Sequence, residues 1–203
     1  MNDGSRHVKR RRAVMRGLIG IPVTLLFGGC SRGPGYHAID VSRGDFQPTF
    51  DLPDAEGRPR RLADFRGKAV LVFFGFTRCP NICPTALARA AKVRQLLGKD
   101  ADRLQVIFVS VDPGQDTAAI LHEYVASFDR SFIALRGSEE ETSATAKAFK
   151  VFYQRVPLET GGYTMDHTAL SYAFDPNGRL HLVVGPDLTA AQVAEDLRRV
   201  LAG

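Results

Sequence analysis

The sequence predicts one α/β domain, a central mixed sheet between flanking helices with an N-terminal hairpin before it. Three observations carry that reading. Residues 68–76 and 104–111 are apolar almost throughout, as strands covered on both faces are. Helical stretches separate these runs, and a crossover helix between neighbouring strands makes them parallel. Near the C-terminus Asp175-Pro176-Asn177-Gly178 is a strong turn signal between 169–174 and 180–184, which therefore pair as an antiparallel hairpin.

Taken in order, residues 48–66 read as the short hairpin, with Gly57 at its turn and 60–65 as the return strand. The strand 68–76 follows. Pro84 suits the first turn of a helix, where its missing N–H costs nothing, and that helix runs over 85–97 to Gly98. After the strand 104–111, Asp116 or Thr117 opens a helix to about Phe128. A strand over 131–135 comes next, then a helix over 139–149 opened by the capping-box pair Ser138 and Glu141. A Gly-containing loop leads to the terminal hairpin. Thr189 and Gln192 form a second capping box, opening a last helix to about Leu201. This succession, βαβα, another helix, a hairpin and a helix, describes a thioredoxin-like α/β sandwich spanning 46–203.

The 203 residues suffice for one such core, and the formal net charge is +5. The charge belongs to the leader. Six of the 27 basic residues and one of the 22 acids lie in residues 1–29, which leaves 21 of each and implies no nucleic-acid surface. The leader has a basic start, an apolar stretch over 17–29 and small residues before Cys30, the parts of a secretory signal. Its 13 apolar-stretch residues fall short of the roughly 20 that cross a bilayer as a helix. Leu26-Phe27-Gly28-Gly29-Cys30 resembles a bacterial lipobox, which makes Cys30 a lipidated N-terminus; the alternative is an uncleaved signal anchor. Arg11-Arg12-Ala13-Val14-Met15 resembles a twin-arginine export signal. Residues 1–30 are thus expected to attach the chain to the inner membrane on its periplasmic side, with 31–45 as a tether. In that oxidising compartment the remaining cysteines are expected to serve as a disulfide, a metal site or a redox pair.

Cys79 and Cys83 are those cysteines, in Thr77-Arg78-Cys79-Pro80-Asn81-Ile82-Cys83-Pro84. Four residues apart at a helix start, they sit on adjoining positions of one turn. The partial positive charge there favours thiolate, and Arg78 adds to it. Two thiolates suit a soft ion such as Cu(I), and a neutral imidazole is the harder ligand that Cu(II) also needs. His167, in Tyr163-Thr164-Met165-Asp166-His167-Thr168 on the Gly161-Gly162 loop, is the candidate; the plainer reading is a solvated loop histidine. Phe73, Phe74 and Phe76 are core strand residues, with Phe76 best placed to shield the thiols. Asp112 is a docking group, a group behind the ligands or simply the start of the Asp-Pro-Gly turn. Asp166 adjoins His167 and is expected to point elsewhere.

The segments 74–85, Val109-Ser110-Val111-Asp112-Pro113 and Asp166-His167-Thr168 together resemble the Sco/SenC family of copper-binding proteins over about residues 46–202. The resemblance implies a thioredoxin fold in which Cys79, Cys83 and His167 bind one copper, as Cu(I) or Cu(II), and in which the cysteines are also the redox pair. It implies a role in maturing the CuA centre of cytochrome c oxidase, as copper donor, thiol reductant or both. The implied partners are the CuA-bearing subunit and another periplasmic copper chaperone. Gly114-Gln115-Asp116-Thr117-Ala118 departs from the family, in which a basic residue often precedes Asp-Thr-Pro. The competing reading is a thiol–disulfide oxidoreductase or redox sensor without metal transfer. A peroxidase is a weaker alternative, and the donor set is chemically open to zinc.

Overall fold

Two adjacent parallel strands, β4 (Ala69–Gly75) and β5 (Leu104–Ser110), form the middle of the sheet, and every residue of both is buried. The computed structural model describes residues 35–203 and Met1, so the leader, Cys30 and the first part of the tether lie outside the described residues. The six-stranded sheet has the order β1-β10-β9-β4-β5-β6. On one side of the central pair, β6 (Ile133–Leu135) runs parallel to β5. On the other, β9 (Ser171–Phe174) and β10 (Leu180–Val184) form the antiparallel hairpin, and β1 (Ile39–Asp40) closes the edge against β10. This is the thioredoxin-like sandwich that the sequence predicts, with a mixed sheet because the hairpin reverses the chain.

Four helices flank the sheet: α1 (Ile82–Leu97), α2 (Ala118–Ala126), α3 (Glu139–Ala148) and α4 (Ala190–Ala202). Both expected capping boxes form, at Ser138 with Glu141 and at Thr189 with Gln192. Thr117 caps α2 by accepting from the amide of Ile120. Alternation along β4 divides the core. Phe73 faces the side where Phe108 meets Tyr124 of α2. Phe74 faces the other side, against Phe149 and Tyr172. Each such ring contributes roughly 1.5–3 kcal/mol through burial.

Three local expectations change. The N-terminal hairpin is β2 (Asp51–Pro53) with β3 (Pro59–Arg61), and the expected return strand stops early. The Asp64 carboxylate accepts the amide of Arg61 at 2.8 Å and turns 62–65 into a short 3₁₀ helix. Residues 39–40, read as tether, are an edge strand, and the buried carboxylate of Asp196 accepts the amides of His37 and Ala38 just before it. The Gly-containing loop before the terminal hairpin is itself a hairpin, β7 (Tyr153–Pro157) with β8 (Tyr163–His167), separate from the main sheet. Gly161 and Gly162 both take positive φ in its turn, a conformation open to glycine at little cost.

Candidate metal centre

The end of β4 delivers the chain to the thiols. Phe76 is buried, and its carbonyl accepts the amide of Cys79 at 3.2 Å, forming a tight turn into α1. The helix begins at Ile82, earlier than expected, so Cys83 lies in its first turn. There the Cys79 sulfur accepts the amide N–H of Cys83 at 3.4 Å, satisfying one of the donors a helix leaves open at its start. Gly75 makes room for this packing. A Cβ added there would stand 2.6 Å from the Cys83 sulfur and 2.8 Å from the Phe108 ring.

Asp116 braces the same loop from below. Its buried carboxylate accepts from the Thr77 hydroxyl at 2.6 Å, the Thr77 amide at 3.2 Å and the Ser110 hydroxyl at 2.6 Å. Burial pushes this carboxyl up, against those hydrogen bonds. The sequence suggests Asp116 only as a helix start. Its place under the thiol loop comes from a contact across 39 residues that no local pattern signals.

His167 ends β8 and arrives over the helix start. Its Nε2 is 3.4 Å from the Cys83 sulfur, and its Nδ1 is 3.1 Å from the carbonyl of Thr168. A carbonyl only accepts, so Nδ1 carries the proton and Nε2 presents its lone pair to the sulfurs. Phe73 and Phe76 meet the imidazole edge-on, with ring centroids 5.9 and 5.8 Å away. Phe74 points to the opposite core and takes no part. Burial lowers the pKa of His167, against the opposing effects of the Thr168 carbonyl and Asp166, and so keeps the ring neutral.

One donor atom from each of Cys79, Cys83 and His167 lies within 4.8 Å of the others. Among the described residues, these two cysteines and this histidine are the group close enough together to share a metal ion. Both cysteines are free thiols, Cys83 buried and Cys79 partly exposed. The expectation of two low-pKa thiols does not hold at Cys83. Burial pushes its thiol far up, because an isolated buried thiolate lacks solvation that the helix start does not replace. A cation bound between the sulfurs would supply that compensation, so the donor set fits a soft ion better than free thiolates.

The remaining described histidines lie elsewhere: His37 pairs with Glu195, His122 with Glu56, and His181 packs on Tyr36. Asp166 is exposed. Asp112 is buried, and accepts from Arg78 at 3.0 Å and from the Tyr163 hydroxyl at 2.8 Å. Tyr163 stands in the motif quoted around His167, but only its partner reveals its role.

Fold and site define a class: a thioredoxin-like domain that brings a dithiol and a neutral imidazole to one point at the start of a helix. Residues 40–202 match the SCO1/SenC family, and the chain belongs to it. It is 36% identical over 165 residues to the mitochondrial SCO2 homolog of Mus musculus, a match covering 80% of this chain and 63% of that protein, less than two thirds of its length. It is 35% identical over 148 residues to a SCO2-like protein of Rickettsia prowazekii, covering 72% of each. The structure of ScoI from Bradyrhizobium japonicum with copper bound superposes with a TM-score of 0.70 at 39% identity, covering 76% of this chain and 99% of that one.

Proposed function

We propose that this domain carries one copper ion on Cys79, Cys83 and His167 and serves in maturing the CuA centre of cytochrome c oxidase. The convergence of the three donor atoms within 4.8 Å carries this reading. The copper bound by the Bradyrhizobium relative supports the choice of metal, as does the pairing of soft sulfurs with a neutral imidazole. The sulfurs alone hold Cu(I), and the imidazole extends the site to Cu(II). Phe73 and Phe76 keep water from the inner side, while the partly exposed Cys79 leaves a route to a docked acceptor. The acceptor is the CuA-bearing subunit, and another periplasmic copper chaperone loads the site. Residues 1–30 attach the domain to the periplasmic side of the inner membrane, through a lipid on Cys30 or an uncleaved anchor. No helix among the described residues is long and apolar enough to cross a membrane.

The unequal exposure of the two sulfurs favours a second use of the same pair. Cys79, the accessible one, can lose its proton and attack a disulfide of the target, releasing one target thiol. Cys83 then displaces the second target thiol, leaving the target reduced and this pair oxidised.

Copper titration of the reduced protein, followed by mixing with the metal-free, reduced CuA domain, tests the proposal. Copper should bind one to one and move across. Failure to bind copper at micromolar protein, or tight binding of Zn(II) with none of Cu(I), would overturn it. Electrons passing to an oxidised CuA domain without metal would assign the reductase role instead.

A further inference from the structure

The hairpin that carries His167 is a separate two-stranded sheet, so side-chain ties add to its chain connections in holding it over the thiols. Met165 is buried beneath it, and Arg155 reaches Glu139 of α3 at 2.7 Å across an exposed surface. The tie nearest the site is different in kind. Tyr163, four residues before His167, donates its hydroxyl to Oδ1 of Asp112 at 2.8 Å. Asp112 has no exposed side-chain surface, and its Oδ2 accepts from Arg78 at 3.0 Å. Arg78 directly precedes Cys79. One buried carboxylate therefore joins the strand that holds the imidazole to the loop that holds the thiols. The guanidinium groups of Arg78 and Arg155 each lie 5.1 Å from the centroid of the Tyr163 ring. They hold its aromatic face while the carboxylate holds its hydroxyl.

We infer that Tyr163, acting through Asp112 and Arg78, is a positioning residue that keeps His167 seated over Cys79 and Cys83 and sets how long a metal ion stays there. This rests on the metal reading proposed above only for its second half; the seating itself is a property of the metal-free chain. The physical basis is a charge-assisted hydrogen bond in a buried setting, where a lost donor leaves Asp112 short of a partner. The hairpin lacks sheet pairing to the core that would mask such a loss. Tyr163→Phe removes the hydroxyl alone and keeps the ring that both guanidinium groups approach.

The test uses the full, reduced, metal-free chain, with site-resolved alkylation read by mass spectrometry. Cys83 is buried, with His167 of the hairpin 3.4 Å from its sulfur, so its labelling rate should follow the fraction of time the hairpin lifts. In Tyr163→Phe that rate should rise about 10- to 100-fold, the shift in an opening equilibrium that loss of one hydrogen bond to a charged group produces. Amide exchange across β4 and β5 should stay as in the unaltered chain. In the copper-loaded protein, Cu(II) should leave faster by a similar factor, with Cu(I) retention nearly unchanged. Unchanged Cys83 labelling overturns the inference, and so does equal acceleration of the β4 and β5 amides, which would mean general loosening. If Tyr163→Phe gives too little folded protein, Asp112→Asn, which keeps the shape but weakens both ties, is read by the same labelling. Failure of the unaltered chain to bind copper would refute the metal reading while leaving the Cys83 labelling result to decide the seating.

Discussion

Nε2 of His167 lies 3.4 Å from the sulfur of Cys83, a contact that closes 84 residues of chain. Cys83 is fixed by the first turn of α1, and His167 by the last residue of β8. The carbonyl of Thr168 settles which ring nitrogen faces the sulfur. His167→Ala therefore removes the harder donor and leaves both sulfurs in place. Cu(II) affinity should fall by more than the roughly 10- to 100-fold that loss of a mere orienting group costs. Cu(I) affinity should fall far less. Titration of each oxidation state against a competing chelator checks both, and an unaltered Cu(II) affinity would remove His167 from the ligand set.

Because the same sulfurs would serve metal and redox chemistry, the two states should exclude each other. Joining Cys79 to Cys83 gives two electrons to the oxidant and removes both thiolate charges, and a neutral disulfide is a poor ligand for the ion. Copper content after stoichiometric oxidation should drop to near zero and recover on reduction. Full occupancy in protein shown by mass to contain the disulfide would contradict this.

Much of the scaffold is legible in the sequence, for reasons that particular residues make plain. The runs that become β4 and β5 are covered on both faces, so they carry no polar interruptions to obscure them. Ser138 and Thr189 mark their helix starts by local capping bonds. The hairpin of β7 and β8 is hidden because Gln154 and Arg155 are exposed and only Met165 is fully buried, so no alternation betrays it. The roles of Asp112 and Asp116 are hidden for another reason. Each sits in a turn-like motif, and its function is set by side chains more than 30 residues away. The sequence also misleads about Cys83, since spacing reports the nearby helix start but not the loss of solvent that outweighs it.

Gly75 should prove sensitive although it makes no polar contact through a side chain. In Gly75→Ala the new methyl would meet the Cys83 sulfur at 2.6 Å and the Phe108 ring at 2.8 Å, both buried and held by the surrounding packing. Overpacking of this kind costs about 1–3 kcal/mol. At about 2–4 °C per kcal/mol for a domain of this size, the melting temperature should fall measurably. Gly114→Ala is the comparison, since its added Cβ would meet nothing nearer than 3.8 Å. Equal melting temperatures for the two variants would show that the crowding at Gly75 relaxes freely.

Asp54 should make the N-terminal hairpin acid-sensitive. Its side chain is 1% exposed, and it accepts from Arg58 at 2.9 Å and Arg60 at 2.8 Å. It also stands at an isolated bridge to Leu135, where the hairpin meets β6. Burial pushes its carboxyl up, but hydrogen bonds from Arg60, from the amide and side chain of Arg58, and from the amide of Glu56 outweigh that and hold it below the usual range. A carboxyl lowered on folding stabilises the fold above its unfolded pKa, and that contribution is lost as pH falls through the folded value. Asp54→Asn keeps the shape but not the charge. Because Arg58 is 60% exposed and can turn to water, the loss near neutral pH should be about 1–3 kcal/mol rather than the larger cost of stranding a buried cation. The gap between Asp54→Asn and the unaltered chain should shrink as the pH drops below the ordinary carboxylate range. Urea unfolding at a series of pH values measures it, and a gap that stays constant into strong acid would show that the charge of Asp54 contributes nothing.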